Sequence, residues 1–321
     1  MKVVECVPNI SDGRNPEVYN AVAEAAAAVA GVELLDVDPG VETNRTVITF
    51  VGEPEAVLEG AFQLVKKSYE LIDMRTHQGA HGRQGATDVC PFVPVGGVTM
   101  DDCVELANRL GERVGEELGV PVFLYEYAAT RPERRSLADI RQGEYEALAD
   151  KLKTEEFAPD YGPADFVPSF GAMVAGARKF LVAYNVDLNV TDKRWANRVA
   201  FDVREKGRTV KGVQQPGMLK AVRGVGWFIP EYGCAQVSMN LVDLDVTPVH
   251  AAFDACDESA RNRGIRVTGS ELVGLIPKQS MLDAGVHYLT RMNRSPGVPE
   301  ADVVHAAVRS LGLNEVSDFD P

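Results

Sequence analysis

Apolar and polar positions along the chain follow two rhythms, one of strands and one of helices. The β-branched run at residues 3–7 reads as a first strand. Asn15-Pro16 then supplies a capping side chain and a proline at the first helical position, and Val18, Val22, Ala25 and Val29 keep one apolar face until Gly31. Strand signals recur at 32–37 and 46–51, separated by the turn-forming Asp38-Pro39-Gly40. After Pro54, the residues Leu58, Phe62, Val65 and Tyr69 return at helical spacing, and a strand-like stretch at 89–95 closes the set. A helix over 99–118 and a strand over 122–125 extend it.

Strand, helix, strand, strand, helix, strand is the ferredoxin-like order, in which two helices cover one face of an antiparallel sheet. The order returns in the second half: a strand at 180–186, a helix at 192–205, a strand pair at 221–229 and 235–242, and a helix at 248–263 before Val267. Between the halves, 137–152 reads as a charged helix, followed by a stretch containing Pro159, Gly162, Pro163, Pro168, Gly171 and Gly176. The expected fold is α+β, with two tandem ferredoxin-like-order subdomains at 1–177 and 178–321. Helices on one face leave the other to be buried, so the two sheets are expected to face each other with helices outside and a ligand cleft at the junction.

Composition narrows the function. The 321 residues hold 33 Lys+Arg against 47 Asp+Glu, a net charge of −14, and no basic run supplies the dense face that nucleic acid needs. An anionic ligand must therefore be held by a local cluster. The five cysteines, Cys6, Cys90, Cys103, Cys234 and Cys256, are scattered without a C-x-x-C pair, which fits reduced thiols. No leader-like apolar stretch and no membrane-spanning run is visible, so the expectation is a cytoplasmic protein without a membrane partner.

The densest polar constellation runs from Asp73 to Asp88 and holds His77, His81, Arg75, Arg83 and the glycines Gly79, Gly82 and Gly85. Those glycines oppose a helix and let backbone approach a ligand closely. The bland alternative is a solvated connection whose histidines cap turns. A metal hydrolase using His77 and His81 is a further alternative, although their spacing of four brings ligands together only on a helix. A second polar stretch, 36–46, is equally well read as a surface hairpin. In a third, 162–171, Phe166 and Phe170 could stack on a flat ligand or pack the loop onto its own domain. His250, His287 and His305 read as structural. Gly224-Val225-Gly226 lacks a dinucleotide fingerprint, and there is neither a nucleophile elbow nor a phosphate loop.

Three stretches, Val4-Glu5-Cys6-Val7-Pro8-Asn9, the 36–46 turn and His77-x-Gly79-x-His81-x-Arg83-x-Gly85-Ala86-x-Asp88, resemble the glutamate formimidoyltransferase (formiminotransferase) family. The likeness continues through Ile140-Arg141-Gln142-Gly143-Glu144, Phe166-Val167-Pro168-Ser169, Gly176-Ala177-Arg178-Lys179 and Gly269-Ser270-Glu271-Leu272. It implies transfer of a formimino group between N-formimino-L-glutamate and tetrahydrofolate in histidine degradation, without metal, by a homodimer. A glutamate formyltransferase on the same folate site, or a folate-binding module without turnover, are the alternatives. By position, His81 matches the family's catalytic histidine. Gly162, Pro163, Ala164, Asp165, Phe166, Val167, Pro168, Ser169, Phe170 and Gly171 match its folate-binding segment. The chain departs from the family at Gly82, where proline is expected, and at Ala80, where glutamate is common. Arg45, Arg83 and Arg178 are expected to bind the substrates' carboxylates from a common cleft, with Arg83 nearest His81. The cyclodeaminase fused to the family domain in animals is expected on a separate polypeptide.

Overall fold

The computed structural model describes residues 2–315 and 319. The chain divides into two compact units, Met1–Lys179 and Phe180–Pro321. The first begins with β1 (Val3–Cys6), β2 (Asn9–Ile10), α1 (Pro16–Ala27), β3 (Val32–Gly40), β4 (Arg45–Gly52), α2 (Pro54–Leu71) and β5 (Thr87–Gly96). Asn15 caps α1 by accepting the Glu17 N–H. The strands pair antiparallel as β3-β4-β1-β5, with β2 also lying between β4 and β5. This is the ferredoxin-like arrangement.

The chain continues through α3 (Met100–Leu118), opened by a Thr99–Asp102 capping box, to β6 (Val122–Glu126), α4 (Leu137–Ile140), α5 (Glu144–Lys151) and β7 (Met173–Ala177). β7 slots between β5 and β6, parallel to both, and completes a seven-stranded sheet. One face carries the main core, where Cys6, Phe50 and Phe92 meet Val22, Leu64 and Leu110 from α1, α2 and α3. On the other face, Ile140, Leu148 and Leu152 cover Val89, Phe123, Tyr125 and Val174. Helices therefore lie on both faces of the β5-β7-β6 half, and α4–α5 bring their polar ends beside the 73–88 loop.

Two local expectations are corrected. Asp38, Pro39 and Gly40 belong to β3 rather than to a turn, because β3 is an edge strand where a proline's missing N–H breaks no ladder bond. The reversal falls at 41–44, with Asn44 at φ +48°. The helix expected over 137–152 is two helices, broken where Gly143 takes φ +81° and becomes the N-cap of α5.

The second unit contains β8 (Val182–Leu188), α6 (Lys193–Val203), a hairpin of β9 (Arg208–Val210) and β10 (Val213–Gln215), β11 (Val222–Ile229), β12 (Cys234–Leu241), α7 (Val249–Arg261), β13 (Val267–Val273), α8 (Lys278–Arg291) and α9 (Glu300–Leu311). The antiparallel order β11-β12-β8-β13 repeats the ferredoxin-like pattern. Tyr184, Val186, Val237 and Met239 face α6 and α7 residues such as Val199 and Ala252. Alternation along the strands turns Asn185, Asp187, Gln236 and Glu271 to the opposite face. Among the described residues no helix is long and apolar enough to cross a membrane.

Candidate functional site

The three polar stretches singled out in the sequence converge in the first unit. The 73–88 loop is tied to the 41–44 reversal by Ala80 N donating to Glu42 O at 3.0 Å, and by Asn44 Nδ2 donating to Gln78 O at 3.0 Å. Gly79 allows this approach, since a Cβ there would lie 2.1 Å from Thr43 O. On the other side, Ala86 N donates to Phe170 O at 2.8 Å, Ala172 N to Gln84 O at 3.1 Å, and Met74 N to Ser169 O at 2.9 Å. The 162–171 segment is thus stitched by its backbone to the loop that carries His81. Its side chains divide: Gly162, Ala164, Asp165 and Pro168 are exposed, and Phe166 lies 5.4 Å from the Tyr145 ring. Phe170 is fully buried in the main core and is closed to ligand stacking.

His81 places Nδ1 2.6 Å from Gly82 O. A carbonyl only accepts, so Nδ1 carries the hydrogen and Nε2 is left with its lone pair. The side chain keeps part of its surface in solvent, yet the protein is packed densely around the ring, and that density governs its proton affinity. Burial first, and then the charges of Arg45 and Arg141, hold its pKa down at about 3, against a smaller opposing effect of Asp88. The imidazole is therefore neutral at physiological pH.

Beside it lies a buried ionic cluster. Asp88, fully buried, accepts from Arg45 Nη1 at 2.6 Å, from Arg141 Nη2 and from Gln84 N at 2.7 Å. Burial alone would raise the carboxyl's pKa, but Arg141 and Arg45 outweigh it and hold the group at about 2. Two guanidiniums on one carboxylate leave an excess positive charge. Arg141 Nε and both polar atoms of the Gln84 side chain are buried without a partner, donors and acceptors of the kind a polar ligand satisfies.

The remaining candidates are placed as follows. Arg83 is already engaged: Nη2 donates to Glu146 Oε1 at 2.6 Å, Nη1 donates to Glu144 Oε2 at 3.1 Å, and Nε donates to His77 Nδ1 at 3.3 Å. His77 Nε2 in turn donates to Asn44 O at 2.8 Å, so both of its ring nitrogens are committed. Among the described residues no three His, Cys, Asp or Glu side chains are gathered as for a metal ion. Arg178 lies further along the sheet, where its charge acts on Glu5 and on Tyr125, a phenol that also feels Arg141. Arg141 was not singled out from the sequence as a site residue: it lies in the Ile140–Glu144 stretch of the family likeness, but nothing in that stretch shows its pairing with Asp88, 53 residues away.

Residues 3–178 match the model of the formiminotransferase domain, N-terminal subdomain, and residues 183–321 match that of the formiminotransferase domain. The chain belongs to the formiminotransferase domain family. It is 51% identical over 320 residues to a formimidoyltransferase-cyclodeaminase of Dictyostelium discoideum, covering 100% of this chain but 59% of that protein. Glutamate formimidoyltransferases of Streptococcus pyogenes serotype M1 and Thermoplasma acidophilum are 41% and 42% identical, each covering 90% of this chain and 93% of its own length. The two formiminotransferase matches meet between residues 178 and 183, where the chain divides into its compact units after Lys179.

Proposed function

We propose that this chain is a glutamate formimidoyltransferase, moving a formimino group between N-formimino-L-glutamate and tetrahydrofolate with His81 as the proton shuttle. The observation that carries the reading is the neutral His81 ring, its Nδ1 tied to Gly82 O and its Nε2 lone pair open, beside a pair of arginines with charge to spare.

Tetrahydrofolate supplies N5 as the attacking atom. The new bond joins N5 to the amidine carbon, and the bond from that carbon to the glutamate nitrogen breaks. His81 Nε2 takes the proton that leaves N5 and returns it to the departing nitrogen, so no net proton is consumed. A free-state pKa of about 3 makes the protonated ring a strong donor and the free ring a weak base. Donor binding corrects the second property: glutamate's carboxylates on Arg45 and Arg141 cancel the charges that suppress protonation of His81, and its proton affinity rises as the substrate arrives. The folate segment is 162–171, acting through its exposed backbone and Phe166. Arg178 is assigned to a substrate carboxylate, whereas Arg83 holds Glu144 and Glu146 to the loop.

The same reading assigns the reaction to histidine degradation in the cytoplasm by a homodimer, with a separate cyclodeaminase acting next. The names of the Streptococcus and Thermoplasma relatives support the donor. Incubation with tetrahydrofolate and either N-formimino- or N-formyl-glutamate tests it. Formation of 5-formiminotetrahydrofolate from the first donor supports the proposal, product from the formyl donor alone replaces the donor, and folate binding without product reduces the chain to a binding module.

A further inference from the structure

Three consecutive residues at the start of α5 grip one residue of the His81 loop. Glu144 Oε2 and Glu146 Oε1 accept from the Arg83 guanidinium at 3.1 and 2.6 Å, and between them Tyr145 N donates to Arg83 O at 3.0 Å. An N–H in the first turn of a helix has no partner within the helix, so this donor is available to the loop. Gly143 at φ +81° and Glu144 at φ +56° carry the backbone through the left-handed region just before Tyr145. A non-glycine residue stays there only where surrounding contacts over-determine it. The two carboxylates are exposed, and such ion pairs contribute little. The main-chain bond from Tyr145 is the firmer part of the grip.

Of the three, Tyr145 also reaches the 162–171 segment. Its hydroxyl donates to Pro168 O at 2.6 Å, and its ring lies 5.4 Å from the Phe166 ring. The Arg83 guanidinium carbon lies over the same ring, 5.8 Å from its centre. Burial raises the phenol's pKa above its ordinary value, so the hydroxyl keeps its proton and donates. The ring packs against both the main core and the core beneath α4 and α5. The main-chain bonds between the loop and the segment fall at Ser169, Phe170 and Ala172. Tyr145 ties the 166–168 stretch, which those bonds do not reach.

We propose that Tyr145 is a positioning residue for the transfer, fixing the 162–171 segment relative to the loop that presents His81 Nε2. The proposal rests on the formimino-transfer reading. In that reading the attacking N5 belongs to a ligand held by one segment, and the group that takes its proton belongs to the other. A misplacement of about 1 Å between reacting groups costs on the order of 100-fold in rate, so a side chain bonded to both segments acts on turnover without touching the reacting atoms.

The test is the full chain carrying Tyr145→Phe, which keeps the ring and the main-chain donor and removes the hydroxyl. Its kcat for formimino transfer and its calorimetric binding of 5-formyltetrahydrofolate are measured beside hydrogen exchange of the Met74, Ala86 and Ala172 amides, which join loop and segment. The expected kcat is lower by about 10- to 100-fold, with folate affinity close to the parent value. Exchange at the three amides is expected to be about 3- to 10-fold faster, the size of one lost hydrogen bond, with the β3–β4 ladder unchanged. A parent-like kcat overturns the proposal, and so does parent-like exchange at the three amides. Exchange raised throughout the first unit, with kcat lowered only in proportion to the folded protein lost, is a merely structural role and also overturns it. Should Tyr145→Phe not fold, Tyr145→Met, which likewise lacks the hydroxyl, carries the same readouts. Exchange needs no turnover: a parent chain without formimino transfer removes that reading, while a rise confined to the three amides still upholds Tyr145 as the link and no rise overturns it.

Discussion

His81 Nδ1 lies 2.6 Å from the carbonyl oxygen of its chain neighbour Gly82, so the tautomer of the ring is set by the backbone of the loop that carries it. Because the bond comes from the main chain, the ring's orientation survives changes in the side chains around it. The same loop is held at both ends by backbone bonds, to Glu42 and to Phe170. Local geometry around His81 thus depends on distant segments through the main chain.

The first prediction concerns acid. With a free-state pKa of about 3, His81 contributes no acid limb to kcat/KM near its ordinary value, while the limb seen in kcat moves upward because bound carboxylates neutralise Arg45 and Arg141. Paired pH–rate profiles check this. An inflection at about pH 6.5 in kcat/KM that vanishes in a partly active His81→Gln variant contradicts it, since 6.5 is the unperturbed value.

Stability carries the same signature. The folded His81 binds its proton at about 3 and the unfolded one near 6.5, so between those values the unfolded chain holds more protons and stability rises with pH. Acidification through this window costs up to about 1.4 kcal/mol per pH unit for the one group. Asp88, held at about 2 against an ordinary 3.8, adds stability present above 3.8 and lost as the pH falls towards 2. Urea midpoints measured from neutral pH down to about pH 5 are expected to fall less steeply for His81→Ala than for the parent chain.

Arg141→Gln keeps length and polarity but removes one of the two cations on Asp88. The donor's KM is expected to rise about 10- to 100-fold, the size of a lost charged contact, with a smaller change in folate affinity. Arg83→Lys is the comparison. Its carboxylate partners are exposed, so the loss is at most about 1 kcal/mol of stability and both Michaelis constants stay near the parent values. Steady-state kinetics and thermal unfolding of the two variants decide whether the structure or the sequence-based choice of Arg83 describes the carboxylate site.

Gly171 takes φ +82°, and a Cβ there would lie 2.2 Å from Gln84 O. Gly171→Ala is expected to cost about 1–3 kcal/mol and to lower turnover, because the close approach joins the 162–171 segment to the His81 loop. Unchanged unfolding and activity would show that the two segments are not mechanically linked.

Most of the secondary structure was legible because it rests on local physics: α2 and α3 on apolar spacing, α1 and α3 on capping residues. β7 was not, since five small apolar residues amid glycines and prolines gain strand identity only from the neighbours β5 and β6. His81, the 162–171 segment and Arg45 were singled out as candidates from dense polar runs or from the family resemblance. Arg141 lies in the Ile140–Glu144 stretch that carries the likeness but was given no role there, because its meeting with Asp88, 53 residues away, has no periodic trace.

The central claim is that His81 moves a proton during transfer of the formimino group. Single-turnover and steady-state rates of 5-formiminotetrahydrofolate formation by His81→Ala, set beside calorimetric binding of 5-formyltetrahydrofolate, test it most directly. The account predicts turnover lower by about 10²- to 10⁴-fold with folate affinity close to the parent value. Turnover within a few-fold of the parent, or a rate loss matched by an equal loss of folate binding, contradicts it.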